Sequence, residues 1–342
     1  MLRSRVPVKD RLFRAAAHVV LRTPLVGVVA RGRQRGGDAE LDRQVAAVLE
    51  AERLLRLPAL ETMEPVRARA FAAAGLSPFD ARPAAMAEVI DTTAPGPASA
   101  IPVRIFVPPD AGPDWIVYFH GGGGVIGSIA SSEPAARLIA AQTRCVVASV
   151  AYRLGPEHRH PAAIDDACAA FTALAGRAGA GRVAVAGDSF GGFLAAHVDH
   201  QVRAAGGRRP DLQILIYPTV DLTFSSPSVE RNAEGYLLTR AMMTWFRTNY
   251  LHPTDDRRAA SPLFWPSLAG AAPVLLATAG FDPLVDEAAR YAGLLRDAGT
   301  AVRHRRYPSL IHGFLSLAGG VDAARAAVDE LCRDIRELLA TR

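Results

Sequence analysis

Residues 183–192 read VAVAGDSFGG, and the rest of the chain falls into order around them. An apolar run passes into Gly187-Asp188-Ser189-Phe190-Gly191 and then into a helical pattern. The pentapeptide G-x-S-x-G therefore stands at a strand–turn–helix junction, the context its chemistry requires. The reason for the two glycines is steric: the turn is too tight for a side chain two residues before or after the serine. The strained serine is lifted clear of the backbone, where its hydroxyl can act as a nucleophile. Composition alone would place such a pentapeptide in roughly one chain in ten of this length, and the junction makes coincidence far rarer.

Working outward, eight segments read as strands: residues 87–92, 101–108, 115–120, 145–150, 182–187, 212–218, 273–280 and 302–308. Several are unbroken apolar runs, as in strands covered on both faces. From the fourth strand onward helical patterns alternate with them, at 162–175, 190–205, 285–298 and 322–339. That alternation predicts an α/β protein with a central, mostly parallel eight-stranded sheet flanked by helices. Short turns between the first strands predict an antiparallel start. Residues 1 to about 80 carry helical patterns only, for example over 41–57. One connection breaks the rhythm: about 55 residues separate Tyr217 from Pro273, with helical material over 238–251 and the aromatics Phe224, Tyr236, Trp245, Phe246 and Tyr250. A connection of that length is usually functional, often a lid.

A nucleophilic serine needs a base, and the base needs an orienting acid. Asp282 follows the strand at 273–280, and His312 lies on a loop between the strand at 302–308 and the last helix. The order serine, acid, histidine is the one expected on a sheet of this kind. Asp286 and Glu287 fall in the following helix, and His304 alternates within a strand, where a structural role is expected. The run His120-Gly121-Gly122-Gly123-Gly124 has no packing rationale, because glycine buries nothing and costs backbone entropy. It suits a place where backbone N–H groups approach a ligand closely. In ester hydrolysis the carbonyl oxygen becomes an oxyanion, and each preorganised donor is worth roughly 3–4 kcal/mol. Gly122 and Gly123 are the candidate donors, with the N–H of Phe190 from the nucleophile turn. Gly122-x-Gly124-x-x-Gly127 formally matches a dinucleotide fingerprint, but that fingerprint expects an acidic residue about 20 positions on. None is there; after Glu133 the next acid is Glu157. His197 and His200 lie one helical turn apart with no further ligand apparent, so no metal site is expected.

Taken together, HGGG at 120–123, YRLGPEHRHPAAIDD at 152–166, GDSFGG at 187–192, DPLVDE at 282–287 and HGF at 312–314 resemble, in order, the bacterial hormone-sensitive-lipase-like esterases (family IV lipolytic enzymes). The resemblance covers roughly residues 85–340. It implies the α/β-hydrolase fold, Ser189, Asp282 and His312 as a catalytic triad, and Gly122, Gly123 and Phe190 as the oxyanion hole. It also implies a helical cap, built from an N-terminal segment at 1–80 and a second segment inserted at about 219–262 into a catalytic domain at 81–342. Segment 152–166 would be architectural, with Glu157 and Asp166 as hydrogen-bonding partners. Three positions depart from the family: Gly124 where an aromatic is common, Gly155 and Phe190 where alanine is usual. Glycine at 124 is expected to leave a void beside Ser189 that admits a bulkier group, so Gly124, Tyr236, Trp245 and Phe246 are the candidate substrate pocket. The function expected is hydrolysis of a small-molecule carboxylic ester of short to medium acyl chain, with no cofactor or metal. An amidase or formamidase is the alternative within hydrolases. A non-catalytic receptor is the alternative outside them, though such a receptor is expected to have lost a triad member.

The bulk numbers agree. Half of the 342 residues are apolar, enough for a sizeable core. The net charge of +5 comes almost wholly from scattered arginines, Lys9 being the one lysine, and aromatics are 7%, which argues against a nucleic-acid reader. Cys145, Cys168 and Cys332 suit neither a disulfide framework nor a zinc knuckle, so a reducing, cytoplasmic compartment is expected. Residues 11–22 form an amphipathic pattern that either packs on the body or docks on a membrane surface. Disorder is expected only near 31–38. With no run of 18 apolar residues, no transmembrane span is expected. A homodimer is compatible with the sequence.

Overall fold

The computed structural model describes residues 40–341 apart from 57 and 76–78. The amphipathic pattern at 11–22 and the segment 31–38 lie outside the described residues. Among the described residues two helices come first, α1 (Arg43–Leu54) and α2 (Pro65–Gly75). Then follow β1 (Glu88–Ala94), β2 (Ile101–Val107), β3 (Trp115–Phe119), α3 (Ile129–Thr143), β4 (Val146–Val150), α4 (Ala162–Arg177), β5 (Val183–Asp188) and α5 (Phe190–Ala204). The chain ends with β6 (Leu212–Ile216), α6 (Ser228–Arg231), α7 (Arg240–Tyr250), β7 (Val274–Phe281), α8 (Val285–Asp297), β8 (Val302–Ile311) and α9 (Asp322–Ala340).

All eight sequence-predicted strands pair into one sheet of order β1-β2-β4-β3-β5-β6-β7-β8. β1 and β2 pair antiparallel, as do β2 and β4, and every other pairing is parallel. β4 lies between β2 and β3, so the crossover through α3 reverses the order of the third and fourth strands. Helix α3 itself is missing from the sequence reading: the glycines before it and Pro134 within it interrupt the period. What starts it is a capping box, with the Ser128 hydroxyl accepting from the Ser131 N–H while Ser131 Oγ accepts from the Ser128 N–H.

The pleat sends alternate residues of each strand to opposite faces, so two cores form. Val117, Phe119 and Val185 face one core with Phe171 of α4, Leu194 of α5 and Leu295 of α8. Ile116, Tyr118 and Ala186 face the other with Leu138 of α3 and Leu331 of α9. Helix α1 joins this second core through Val45 and Leu49, and Asp42 caps it by accepting from the Gln44 and Val45 amides. Among the described residues no helix is long and apolar enough to cross a membrane.

Candidate active site

Ser189 ends β5 and begins α5 with φ 54° and ψ −117°, a conformation that side chains rarely adopt. The flanking glycines are obligatory by close approach. A Cβ on Gly187 would lie 2.2 Å from the Gly191 backbone, and one on Gly191 would lie 1.9 Å from the Phe119 carbonyl oxygen. The turn is thus wedged between its own helix and β3, with the serine hydroxyl facing a cavity.

The β8–α9 loop brings His312 to it. His312 Nε2 is 2.9 Å from Ser189 Oγ, and Nδ1 is 2.8 Å from Asp282 Oδ2. Asp282 is 1% exposed and His312 8% exposed. The other Asp282 oxygen accepts from the Leu284 N–H at 2.8 Å, and the Asn232 side-chain amide donates to the Asp282 carbonyl at 2.9 Å. The acid therefore sits in a loop pinned from below by its own helix and from above by the 219–262 insertion. Ser228 reinforces this by donating to the Pro283 carbonyl. The Tyr217 ring packs on the imidazole, with centroids 4.7 Å apart.

Backbone N–H groups buried in a protein need acceptors, and those of this loop and the nucleophile turn divide into two sets. Gly121 N–H donates to Asp188 Oδ1, and those of Val125 and Ile126 to the Gly122 carbonyl. Among the described residues the amides of Gly122, Gly123 and Phe190 have no protein acceptor, and all three residues line the cavity with Ser189 and His312. The loop carrying them is held by several side chains. Asp188 accepts from the Tyr118 hydroxyl at 2.5 Å as well as from Gly121 at 3.0 Å. Burial pushes the Asp188 carboxyl above its ordinary range, opposed by those two hydrogen bonds. His120 donates Nδ1–H to the Gly121 carbonyl at 2.7 Å, while the Tyr152 hydroxyl donates to the His120 carbonyl at 2.7 Å. Burial pushes the His120 imidazole down to about 4, so it is neutral at pH 7. Arg69 of α2 donates to the carbonyls of Val125 and Gly155 and pairs with Glu157 at 2.6 Å. Asp166 pairs with Arg153 at 2.8 Å. Neither Glu157 nor Asp166 is among the residues lining the cavity.

The cavity is about 780 Å³. Tyr236 and Phe246 line it, as the sequence predicts, and the Phe246 ring lies directly over Gly123. Two expectations fail. Trp245 turns away, packing against Phe246 and the core, because adjacent helical residues point about 100° apart. Gly124 does not border a void. A Cβ there would lie 2.8 Å from both Phe190 Cζ and Tyr250 Cδ2, at a φ of +71°. The rings of Phe190 and Tyr250, edge-to-face at 4.7 Å, already fill that space. Two of the departures from the family pattern, glycine at 124 and phenylalanine at 190, are thus one packing solution.

Tyr118 and Asn232 are supporting residues that sequence reasoning missed. The supporting roles of Asp188 and Glu287 were missed too, although both stand inside recognisable motifs, GDSFGG and DPLVDE. Glu287, in the helix after Asp282, is fully buried and accepts from the Val220 and Asp221 amides at 2.8 and 3.1 Å. Among the described residues its second oxygen has no partner, and burial pushes its carboxyl well above the ordinary range. His197 and His200 pack around Trp265, and among the described residues no group of histidine, cysteine or carboxylate side chains is arranged to hold a metal ion. His304 is hydrogen-bonded to Thr278 at 2.9 Å between β8 and β7.

A family model described as the alpha/beta hydrolase fold matches residues 116–316. The carboxylic ester hydrolase LipN of Mycobacterium tuberculosis is 43% identical over 263 residues, covering 73% of this chain and 70% of the relative. The ethyl acetate hydrolase of Pseudomonas putida is 34% identical over 292 residues, covering 82% of this chain and 91% of that one. Among solved structures, an ester hydrolase from the metagenome of Lake Arreo, complexed with a bipyridine phosphonate derivative, superposes with a TM-score of 0.84 at 36% identity, covering 88% of this chain and all of that one.

Proposed function

The chain belongs to the α/β-hydrolase family, in its branch of hormone-sensitive-lipase-like carboxylic ester hydrolases, and we propose that Ser189, His312 and Asp282 carry its reaction as nucleophile, general base and orienting acid. His312 Nε2 takes the hydroxyl proton as Ser189 Oγ attacks the ester carbonyl carbon. The carbonyl oxygen becomes an oxyanion received by the amides of Gly122, Gly123 and Phe190. His312 returns the proton to the leaving alcohol, and an acyl-enzyme remains. Water then gives a proton to His312 and attacks the acyl carbon; collapse releases the acid and restores Ser189. Asp282 keeps Nδ1 protonated throughout and stabilises the imidazolium when it forms.

The observation that carries this reading is the continuous hydrogen-bonded line from Ser189 through His312 to Asp282, beside three amides with no protein acceptor. Segments 40–80 and 219–262 serve as the cap: Leu55 and Leu60 from the first, and Tyr236 and Phe246 from the second, line the same cavity. A short- to medium-chain ester is the substrate class, in keeping with the relative named ethyl acetate hydrolase. The free thiols Cys145, Cys168 and Cys332 suit a cytoplasmic setting.

Labelling with a serine-directed organophosphate tests the assignment. The adduct is expected on Ser189, with loss of activity. Ser189→Ala is expected to remain unlabelled and to lose about four to six orders of magnitude in kcat with its fold intact. An adduct elsewhere, or an alanine variant keeping more than about a tenth of the activity, overturns the assignment.

A further inference from the structure

The cavity holds a charge that the ester chemistry above does not use. Arg247 of α7 is half-buried and lines the same cavity as Ser189 and Phe246. Its guanidinium lies over the Phe224 ring at 4.0 Å and donates one hydrogen bond, to the Leu222 carbonyl at 3.1 Å. A guanidinium has five N–H donors, so most of its capacity is unspent among the described residues. Among the described residues no carboxylate pairs with it. Asp221 is the acid whose charge reaches it, but both Asp221 oxygens are taken, one by Thr223 and the other by Ser225.

The other arginines along the cavity differ. Arg69 pairs with Glu157 and Arg53 with Glu50, while Arg56 lies exposed at the end of α1. Burial, then the neighbouring cations Arg257 and Arg240, push the Arg247 guanidinium below its ordinary range, as expected where no carboxylate neutralises it. A half-buried cation on a cavity wall, with donors to spare, is a receptor for an oxyanion. Its contacts with Phe224 and the Leu222 carbonyl also tie α7 to the 220–225 loop.

We propose that Arg247 is a specificity-determining residue for this esterase, forming a subsite for an anionic group, so that preferred esters carry a carboxylate or comparable oxyanion on the acyl or the alcohol arm. The proposal rests on the ester-hydrolase reading of the same cavity. Recognition is worth what a charge-assisted hydrogen bond contributes, about ten- to a hundredfold in apparent affinity.

The test uses two matched pairs of esters on the full chain. For the acyl arm the pair is 4-nitrophenyl hexanoate and the 4-nitrophenyl monoester of adipic acid. For the alcohol arm it is phenyl acetate and 4-acetoxybenzoate. The wild type is expected to show the lower KM for the anionic member of at least one pair, and that pair identifies the arm. Arg247→Met keeps an unbranched apolar side chain at this position and removes the charge, its stacking on Phe224 and its hydrogen bond to Leu222. It is expected to shrink the KM preference for the anionic ester by about ten- to a hundredfold, chiefly through KM rather than kcat. Arg247→Lys is expected to retain part of the preference. A wild type that favours the neutral ester in both pairs overturns the proposal. So does Arg247→Met raising KM equally for both members, the behaviour of a staple. Turnover of the neutral esters by the wild type, lost in Ser189→Ala, upholds the hydrolase reading whichever way the Arg247 comparison falls.

Discussion

Replacing Gly124 with alanine adds a single methyl group, and its cost follows from two independent geometric facts. The residue has φ +71°, where an L side chain carries a steric penalty of about 1–2 kcal/mol. The added carbon would also lie 2.8 Å from Phe190 Cζ and 2.8 Å from Tyr250 Cδ2, both on fully packed rings. Overpacking of this kind costs about 1–3 kcal/mol. Gly124→Ala is therefore expected to destabilise the protein by about 2–5 kcal/mol, a fall in melting temperature of roughly 3–7 °C at this chain length. Calorimetry and urea denaturation measure it, and activity is expected to fall on small and bulky esters alike. A double-mutant cycle isolates the cause. Phe190→Ala alone leaves a cavity and costs about 3–5 kcal/mol. In the double variant one of the two rings meeting the new methyl is gone, so the combined cost is expected to be about 1–2 kcal/mol less than the sum. If Gly124→Ala stays within about 0.5 kcal/mol of wild type, or the two costs simply add, the packing account is wrong. Selective loss on bulky esters would show instead that position 124 faces the substrate.

Two further outcomes follow from the acids around the site. Asp282→Asn is expected to lower kcat by about 10⁴ through the wrong histidine tautomer, whereas Asp286→Asn, which disturbs only the exposed pair with Arg231 at 2.8 Å, is expected to cost less than tenfold; steady-state kinetics of both variants rank them, and the reverse order refutes the choice of acid. Glu287 has its folded-state pKa raised well above the ordinary 4.5, so folding favours its protonated form and wild-type stability is drained as pH rises above 4.5. Glu287→Gln keeps an acceptor for the Val220 and Asp221 amides, so its advantage over wild type is expected to be larger at pH 8 than at pH 5; melting curves at the two values decide, and a difference independent of pH refutes it.

Sequence alone determined a great deal here, because the signals are local. Strand β5, its turn and helix α5 follow from a tight bend that tolerates only glycine at 187 and 191. The eight strands follow from apolar runs set between turn residues, and the order Ser189, Asp282, His312 from the places where those strands end. What tertiary structure decided are facts that depend on which distant atoms share a space. Helix α7 is amphipathic, and only its docking determines that Phe246 and Arg247 enter the cavity wall while Trp245 leaves it. Asn232 steadies the Asp282 loop from 50 residues away, and Tyr118 holds Asp188 from 70 away. Gly124 is the plainest case. Its own neighbourhood in the chain suggests open space, yet Phe190 and Tyr250, brought from two other helices, occupy it. A sequence specifies which positions lack a side chain; whether the vacated volume belongs to a ligand or to another residue is settled by close packing in three dimensions.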